Sequence, residues 1–218
     1  MNLSARARRH AALSDEKRLL IVDQLVVGDL TVAELADLSD MRGNLLAHHL
    51  DVLEGAGLIE RRTSEGDQRR RYVTLRWDQL PPPVGLSRIT AEGVAFVCTH
   101  NSARSQFASA LWERMTGSPA SSAGSDPAAS VHPKAVRVAS EFDLDISGAT
   151  PSPFTSLPSR IGLIVSVCDR TNEGGLPHAT RHLHWSIPDP VRAGTLDAFR
   201  SAFADIAQRI GHLTGSSE

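Results

Sequence analysis

Residues 94–107 read V-A-F-V-C-T-H-N-S-A-R-S-Q-F, and few folds can house such a stretch. The apolar run 94–97 stops abruptly at Cys98, a polar loop follows, and Arg104 opens an amphipathic run that reaches Met115. This pattern predicts a buried strand, a tight loop and a helix, with a thiol at the strand end and a guanidinium at the helix start. The loop has the chemistry of an oxyanion site. Backbone N–H groups of Thr99, His100, Asn101, Ser102, Ala103 and Arg104 can converge on one anion, and the helix start adds its positive dipole end. Arg104 can bracket two oxygens of that anion with its planar fork, which a lysine cannot do as well. The same field favours the thiolate of Cys98, whose free pKa of about 8.5 falls to roughly 3.5–7.5 in such surroundings. The loop is therefore expected both to hold a tetrahedral oxyanion and to attack it. Asn101 and Ser105 are expected to brace the loop and the thiolate by hydrogen bonds. The plain alternative is a buried small cysteine and a surface arginine; their coincidence with a strand-to-helix junction favours the anion loop.

The rest of this half alternates strands and helices. A short strand is expected at 120–124, a helix from His132 to about Phe142, and irregular chain from Asp145 to Pro158. The continuous apolar run 161–167 has the mark of a central parallel strand, and it ends at Cys168. Another short strand comes at 182–185, and Thr195 caps a last helix from Leu196 to about Leu213. An α/β domain places its ligands at the carboxyl ends of its strands. Cys98, Cys168 and the Asp189 loop all fall at such ends, so one site can gather them.

The Cys98 stretch resembles the signature of the low-molecular-weight phosphatase fold. Within that fold it is more similar to the thioredoxin-type arsenate reductases, because Gln106 stands where the phosphatases commonly carry proline. The resemblance implies a small parallel sheet flanked by helices and Cys98 as nucleophile. It also implies that Asp189, in its Asp-Pro loop, supplies a proton to the leaving oxygen; Asp126-Pro127 is read as a structural turn. His100 departs from the glycine common at its position. In the reductases a cysteine ending the central strand resolves the adduct, which is the place of Cys168, and a further cysteine lies seven residues on, where this chain has Gly175. Two routes are open: direct attack by Cys168, or attack by a small cellular thiol with Cys168 a packed bystander. The sequence reading leans to the external thiol. Mycothiol fits the arginine-rich, lysine-poor composition of a GC-rich genome, with glutathione or a thioredoxin system as the other candidates. No bound cofactor and no metal are expected.

Residues 1–80 have another character. A helix is expected at 14–27, then a short one at 32–38 opened by the capping box of Thr31 and Glu34, then a third from about Met41 to Ala56. Strands at 58–62 and 70–75 enclose a turn. Two short helices followed by a hairpin make a winged helix-turn-helix, and residues 10–76 look like the ArsR-type repressor family. That resemblance implies a homodimer held through this domain, with the third helix in the major groove of double-stranded DNA. Arg42, Asn44 and His48 lie on the face of that helix away from Leu46, Leu50 and Leu53. Acidic and basic residues nearly balance here, but Arg61, Arg62, Arg69, Arg70 and Arg71 cluster on the wing, where phosphate contacts are made. Arsenite sensors of that family carry cysteines where this chain has Thr31-Val32-Ala33, and no cysteine precedes Cys98, so no thiolate metal site is expected.

Pro81-Pro82-Pro83 reads as a stiff spacer, which gives a DNA-binding domain at 1–80, a linker at 81–91 and a reductase-like domain at 92–218. Two cysteines make no disulfide framework, and no apolar run is long enough for a signal core or a membrane span. A cytoplasmic protein with no membrane partner is expected. The combined reading is a regulator of arsenic resistance fused to a thiol-dependent arsenate reductase that takes arsenate or a phosphate-like oxyanion. The alternatives are a tyrosine or small-molecule phosphatase fused to a regulator, and a non-enzymatic transcription factor that responds to an oxyanion.

Overall fold

The computed structural model describes residues 3–41, 43–80 and 93–214. They form two compact units, one of 3–64 and 68–80, the other of 65–67 and 93–214. The expected linker at 81–91 lies outside the described residues, as does Arg42.

The first unit opens with α1 (Leu3–Ala12), which the sequence reading did not anticipate. Only Ala12 of that helix is buried, so it shows almost no apolar periodicity. Asp15 caps α2 (Glu16–Val27) by accepting from the Arg18 backbone at 3.0 Å. A two-residue strand, β1 (Leu30–Thr31), leads into α3 (Val32–Ser39), where the expected capping box is complete on both sides. Asp40 then takes a left-handed φ of 49° and ends the helix. The next helix, α4 (Asn44–Gly55), begins later than expected. Gly43 holds φ 59°, a conformation that breaks the helix before Asn44, and Met41 is packed into the core instead. β2 (Ile59–Thr63) and β3 (Arg71–Leu75) pair antiparallel, and β1 adds to the other side of β3. Ile21, Leu25, Leu35, Leu46, Leu50, Leu53 and Val73 fill the space between helices and sheet.

The second unit is a four-stranded parallel sheet of order β5-β4-β6-β7. Its elements in chain order are β4 (Val94–Cys98), α5 (Arg104–Thr116), β5 (Ala120–Gly124), α6 (Pro133–Ser140), β6 (Leu163–Ser166), α7 (Asp169–Gly174), β7 (Arg181–His184), α8 (Pro190–Ala193) and α9 (Leu196–Thr214). β4 and β6 lie at the centre and every residue of both is buried, as their unbroken apolar runs require. The pleat sorts β4 between two faces. Val94, Phe96 and Cys98 join Phe107, Leu111, Phe203 and Ile206 in the larger core, while Ala95 and Val97 join Ile161 and Ile164 in a smaller one. Full burial of each large apolar side chain contributes about 1.5–3 kcal/mol, so this packing fixes the strand ends firmly.

The register of the two central strands sets where their ends emerge. Val97 stands opposite Ser166, and the Val167 N–H donates to the Val97 carbonyl at 2.8 Å. The chain after Cys98 and the chain after β6 therefore leave the sheet side by side. On the other flank Cys98 pairs with Gly124, where a Cβ would come 2.5 Å from the Thr99 carbonyl oxygen and 3.0 Å from the Asn101 nitrogen. Only glycine lets the loop lie down there. The two short helices α7 and α8 were not expected from the sequence.

Candidate active site

The loop from Cys98 to Arg104 is built by a relay of buried polar side chains. Asn101 is fully buried with φ 47°, a left-handed conformation that asparagine tolerates better than most residues. Its Nδ2 donates to Ser105 Oγ at 2.8 Å, and its Oδ1 accepts from the Ser152 backbone at 2.9 Å and from Gln106 Nε2 at 3.2 Å. Gln106 Nε2 also reaches the Asn101 carbonyl at 3.0 Å. Ser105 Oγ, which accepts from Asn101, also lies 3.0 Å from Cys98 Sγ, within hydrogen-bond reach of the thiol. The Asn101 N–H lies 3.2 Å from the same sulfur. Asn101 and Ser105 thus brace loop and thiol together. Gln106 is a brace that the sequence reading used only as a family mark. Ala103 stands at the start of α5 and makes no side-chain cap, which leaves the first-turn N–H groups of α5 without that partner.

Further hydrogen bonds pin the loop to its surroundings. The His132 N–H donates to the Ser102 carbonyl at 2.8 Å and the Asp126 N–H to the Thr99 carbonyl at 2.8 Å. His100 also lines the cleft, and its Nδ1 lies 2.9 Å from the Asp126 carbonyl oxygen. Asp126 is structural, as read from the sequence.

Arg104 is buried, with Nη1 donating to the Ile187 carbonyl at 2.7 Å and Nη2 3.3 Å from Asp189 Oδ2. The other oxygen of Asp189 accepts from the Val191 N–H at 3.0 Å and caps α8. Burial works against the guanidinium charge, but Cys168, Cys98 and Asp189 outweigh it and raise the Arg104 pKa. Cys168 caps nothing with its side chain; its Sγ lies 3.4 Å from Thr99 Oγ1, which is 3.3 Å from Thr171 Oγ1. Thr99, Arg104, Cys168 and Asp189 line one cleft, with Arg170 and Arg192 at its rim.

One expectation is corrected here. The Cys98 thiol is pushed up, not down, from its ordinary value. Burial is the larger cause and the neighbouring Cys168 thiol the next, and together they exceed the pull of Arg104 and of the hydrogen bonds from Ser105. The sequence conveys the positive field but not how completely the sulfur is withdrawn from water.

Residues 93–217 match the family model described as low molecular weight phosphotyrosine protein phosphatase. The chain belongs to that family. Residues 15–61 match the model of bacterial regulatory proteins of the arsR family. An arsenate reductase of Bacillus anthracis is 30% identical over 131 residues, covering 57% of this chain and 96% of that protein. The crystal structure of an arsenate reductase from Archaeoglobus fulgidus superposes with a TM-score of 0.50 at 31% identity, covering 56% of this chain and 98% of that one. A tyrosine phosphatase, amsI, from Erwinia amylovora shares the fold with a TM-score of 0.50 at 16% identity, covering 59% and 94%. The chain thus joins an arsR-family helix-turn-helix to a phosphatase-fold domain of the arsenate reductase type.

The helix-turn-helix unit presents Asn44 and His48 on the exposed side of α4, while His49 is buried. The wing arginines do not act alike. Arg61 forks onto Asp51 at 2.7 Å and onto Glu54, and these hydrogen bonds raise its pKa. Arg62 is bound to Glu60, while Arg69, Arg70 and Arg71 are exposed. Among the described residues no group of three His, Cys, Asp or Glu could hold a metal ion, and no helix is long and apolar enough to cross a membrane.

Proposed function

We propose that the chain reduces arsenate to arsenite with Cys98 as nucleophile, and that its arsR-family unit binds double-stranded DNA to regulate arsenic resistance. The observation that carries the enzymatic half is the joint placement of a braced thiol, a buried guanidinium and a second thiol at neighbouring strand ends. Arsenate sits in the loop, its oxygens held by backbone N–H groups and the Arg104 fork. Cys98 attacks arsenic as Asp189 protonates the departing oxygen, which leaves as water. Cys168 then attacks the Cys98 sulfur. The S–S bond forms, the S–As bond breaks, and its electron pair stays on arsenic, which passes from As(V) to As(III). Two thiols are oxidised by two electrons, and arsenite leaves with the proton that Cys168 gives up.

This departs from the external-thiol route favoured on sequence alone. Parallel neighbours lie about 4.8 Å apart, and Cys168 leaves the strand adjacent to that of Cys98. An external reductant, whether mycothiol, glutathione or a thioredoxin system, is then needed only to reopen the disulfide. In the DNA-binding half, Asn44 and His48 face the major groove, Arg69, Arg70 and Arg71 meet phosphates, and two copies pair through this unit. The cytoplasm, where thiols are kept reduced, suits the chemistry.

The test is thiol-coupled arsenate turnover run beside p-nitrophenyl phosphate hydrolysis on the same preparation. Arsenate-dependent oxidation of the reductant with a much slower phosphatase rate is expected. Brisk phosphate release with no arsenate-dependent oxidation refutes the reading.

A further inference from the structure

Beyond the loop and its two thiols lies a set of buried polar groups that the reaction as written leaves unused. Asp169, the residue after Cys168 and the first of α7, is turned inward and buried. Its Oδ1 is 3.1 Å from Nε2 of the equally buried His184, the last residue of β7. His184 Nδ1 is 2.8 Å from Ser166 Oγ at the end of β6, and that hydroxyl reaches Asn172 Oδ1, back on α7, at 3.0 Å. The four side chains close a ring that stitches α7 to two strand ends. Burying such groups is costly unless every member is satisfied, and an apolar patch would pack as well. Burial alone would raise the Asp169 pKa, but the hydrogen bonds from His184, from the Glu65 N–H at 2.8 Å and from Ser186 prevail and lower it, which keeps the carboxylate charged.

The ring matters because α7 cannot hold itself. Six residues are far too few for a stable isolated helix, and this one runs out into Gly174 and Gly175, the latter at φ 105°. Cys168 is its N-cap: its carbonyl accepts from the Asn172 N–H at 3.2 Å, but its side chain makes no capping hydrogen bond. The backbone on either side of the thiol is instead set by Ser166 and Asp169, both members of the ring. Neither ring nitrogen of His184 is left to take a proton from a thiol, so the histidine has no part as a base.

We propose that Asp169 and His184 are positioning residues for the second half-reaction: they hold the start of α7 so that Cys168 Sγ stays against Thr99, at the strand end beside that of Cys98. The proposal rests on the reading of Cys168 as the resolving thiol. Removing the ring slows S–S bond formation while the arsenate-binding loop, braced separately by Asn101, Ser105 and Gln106, keeps its affinity.

The test uses the full reduced chain in single turnover with arsenate, quenched by alkylation and read by mass spectrometry for the Cys98–Cys168 disulfide. Competition by inorganic phosphate gives oxyanion affinity in parallel. His184→Ala should slow disulfide formation at least tenfold with phosphate affinity changed less than twofold, and His184→Gln, which restores an N–H near the Nε2 position, should recover most of the rate. Asp169→Asn serves as a second, nearly isosteric break of the charged pair and should also slow the step. Disulfide formation at the wild-type rate in His184→Ala overturns the proposal, as does an equal loss of phosphate affinity, which would mark general damage. Should the wild-type chain form no disulfide and carry an external thiol on Cys98 instead, the resolving role of Cys168 itself fails, and the positioning role with it.

Discussion

Replacing Arg104 with lysine keeps the charge and removes the fork, so it isolates what geometry contributes. In the structure one arm of the guanidinium is committed to the Ile187 carbonyl at 2.7 Å and the other faces Asp189 Oδ2 at 3.3 Å. The remaining N–H donors are held rigidly by those two contacts and lie in the plane that two anion oxygens can share. A lysine ammonium is a point donor on a shorter reach; it can serve the carbonyl or the anion, but it cannot bracket both anion oxygens. Losing one hydrogen bond to a charged partner costs about 1.5–3 kcal/mol, which corresponds to a fall of about 10- to 150-fold in kcat/KM. A separate effect concerns stability, because the Ile187 carbonyl loses a buried donor when the ammonium turns to the anion. An orphaned buried acceptor costs roughly 1–3 kcal/mol, so bound phosphate should protect the variant from urea unfolding by that much less than it protects the wild type. The assay is arsenate turnover coupled to thiol oxidation over a range of arsenate concentrations. A variant with kcat/KM within about threefold of wild type would show that charge alone suffices and that the planar fork has no part in the reaction.

Cys98→Ser should abolish arsenate turnover while phosphate still binds, because a hydroxyl keeps the loop's hydrogen bonds but scarcely ionises; activity above about a tenth of wild type speaks against Cys98 as nucleophile. Cys168→Ala removes one of the two causes that push the Cys98 thiol up, so the pH midpoint of Cys98 alkylation should move down and its rate at a fixed, mildly alkaline pH should rise; an unmoved or higher midpoint contradicts the coupling. Asn101→Ala should destabilise the second unit by roughly 2–4 kcal/mol, since it strands several buried partners and places alanine at a left-handed φ; urea unfolding within about 0.5 kcal/mol of wild type refutes its role as the hub. Replacing Arg69, Arg70 and Arg71 together with alanine should weaken DNA binding on all sequences and flatten its salt dependence, measured by anisotropy across a salt series; an unchanged slope removes them from the phosphate contacts.

Much of the second unit can be read from sequence because its central strands are continuous apolar runs and its loop carries unmistakable turn chemistry. Cys98, Asn101, Arg104 and Ser105 stand in one stretch, and the structure assembles them much as their spacing implies. The parts that escape are those whose signal lies in tertiary neighbourhood. That Cys168 leaves the strand beside that of Cys98 depends on β6 inserting next to β4, an order that chain sequence does not encode directly. His184 is one histidine on a four-residue strand, and nothing in its local pattern points to Asp169. α7 and α8 are too short to show a 3.6-residue period, and α1 has too few buried residues to show one. The direction of the Cys98 shift escapes for a related reason: local charges can be counted along the chain, but exclusion of water is a property of the packed whole.

Gly124 carries a consequence of another kind. It donates no side chain and sits on a strand that a motif search would pass over, yet a single methyl there would strike the Thr99 carbonyl and press on Asn101 from below. The whole loop would have to lift, and the N–H groups proposed to hold the oxyanion would splay with it. Relatives of this fold could therefore lose or retune oxyanion selectivity through a neighbouring strand, with every residue of the signature intact. An inventory confined to that signature would score such a protein as competent. For anyone sorting related sequences into active and silent, or redesigning the loop for a larger anion, the floor beneath the loop is as informative as the loop itself.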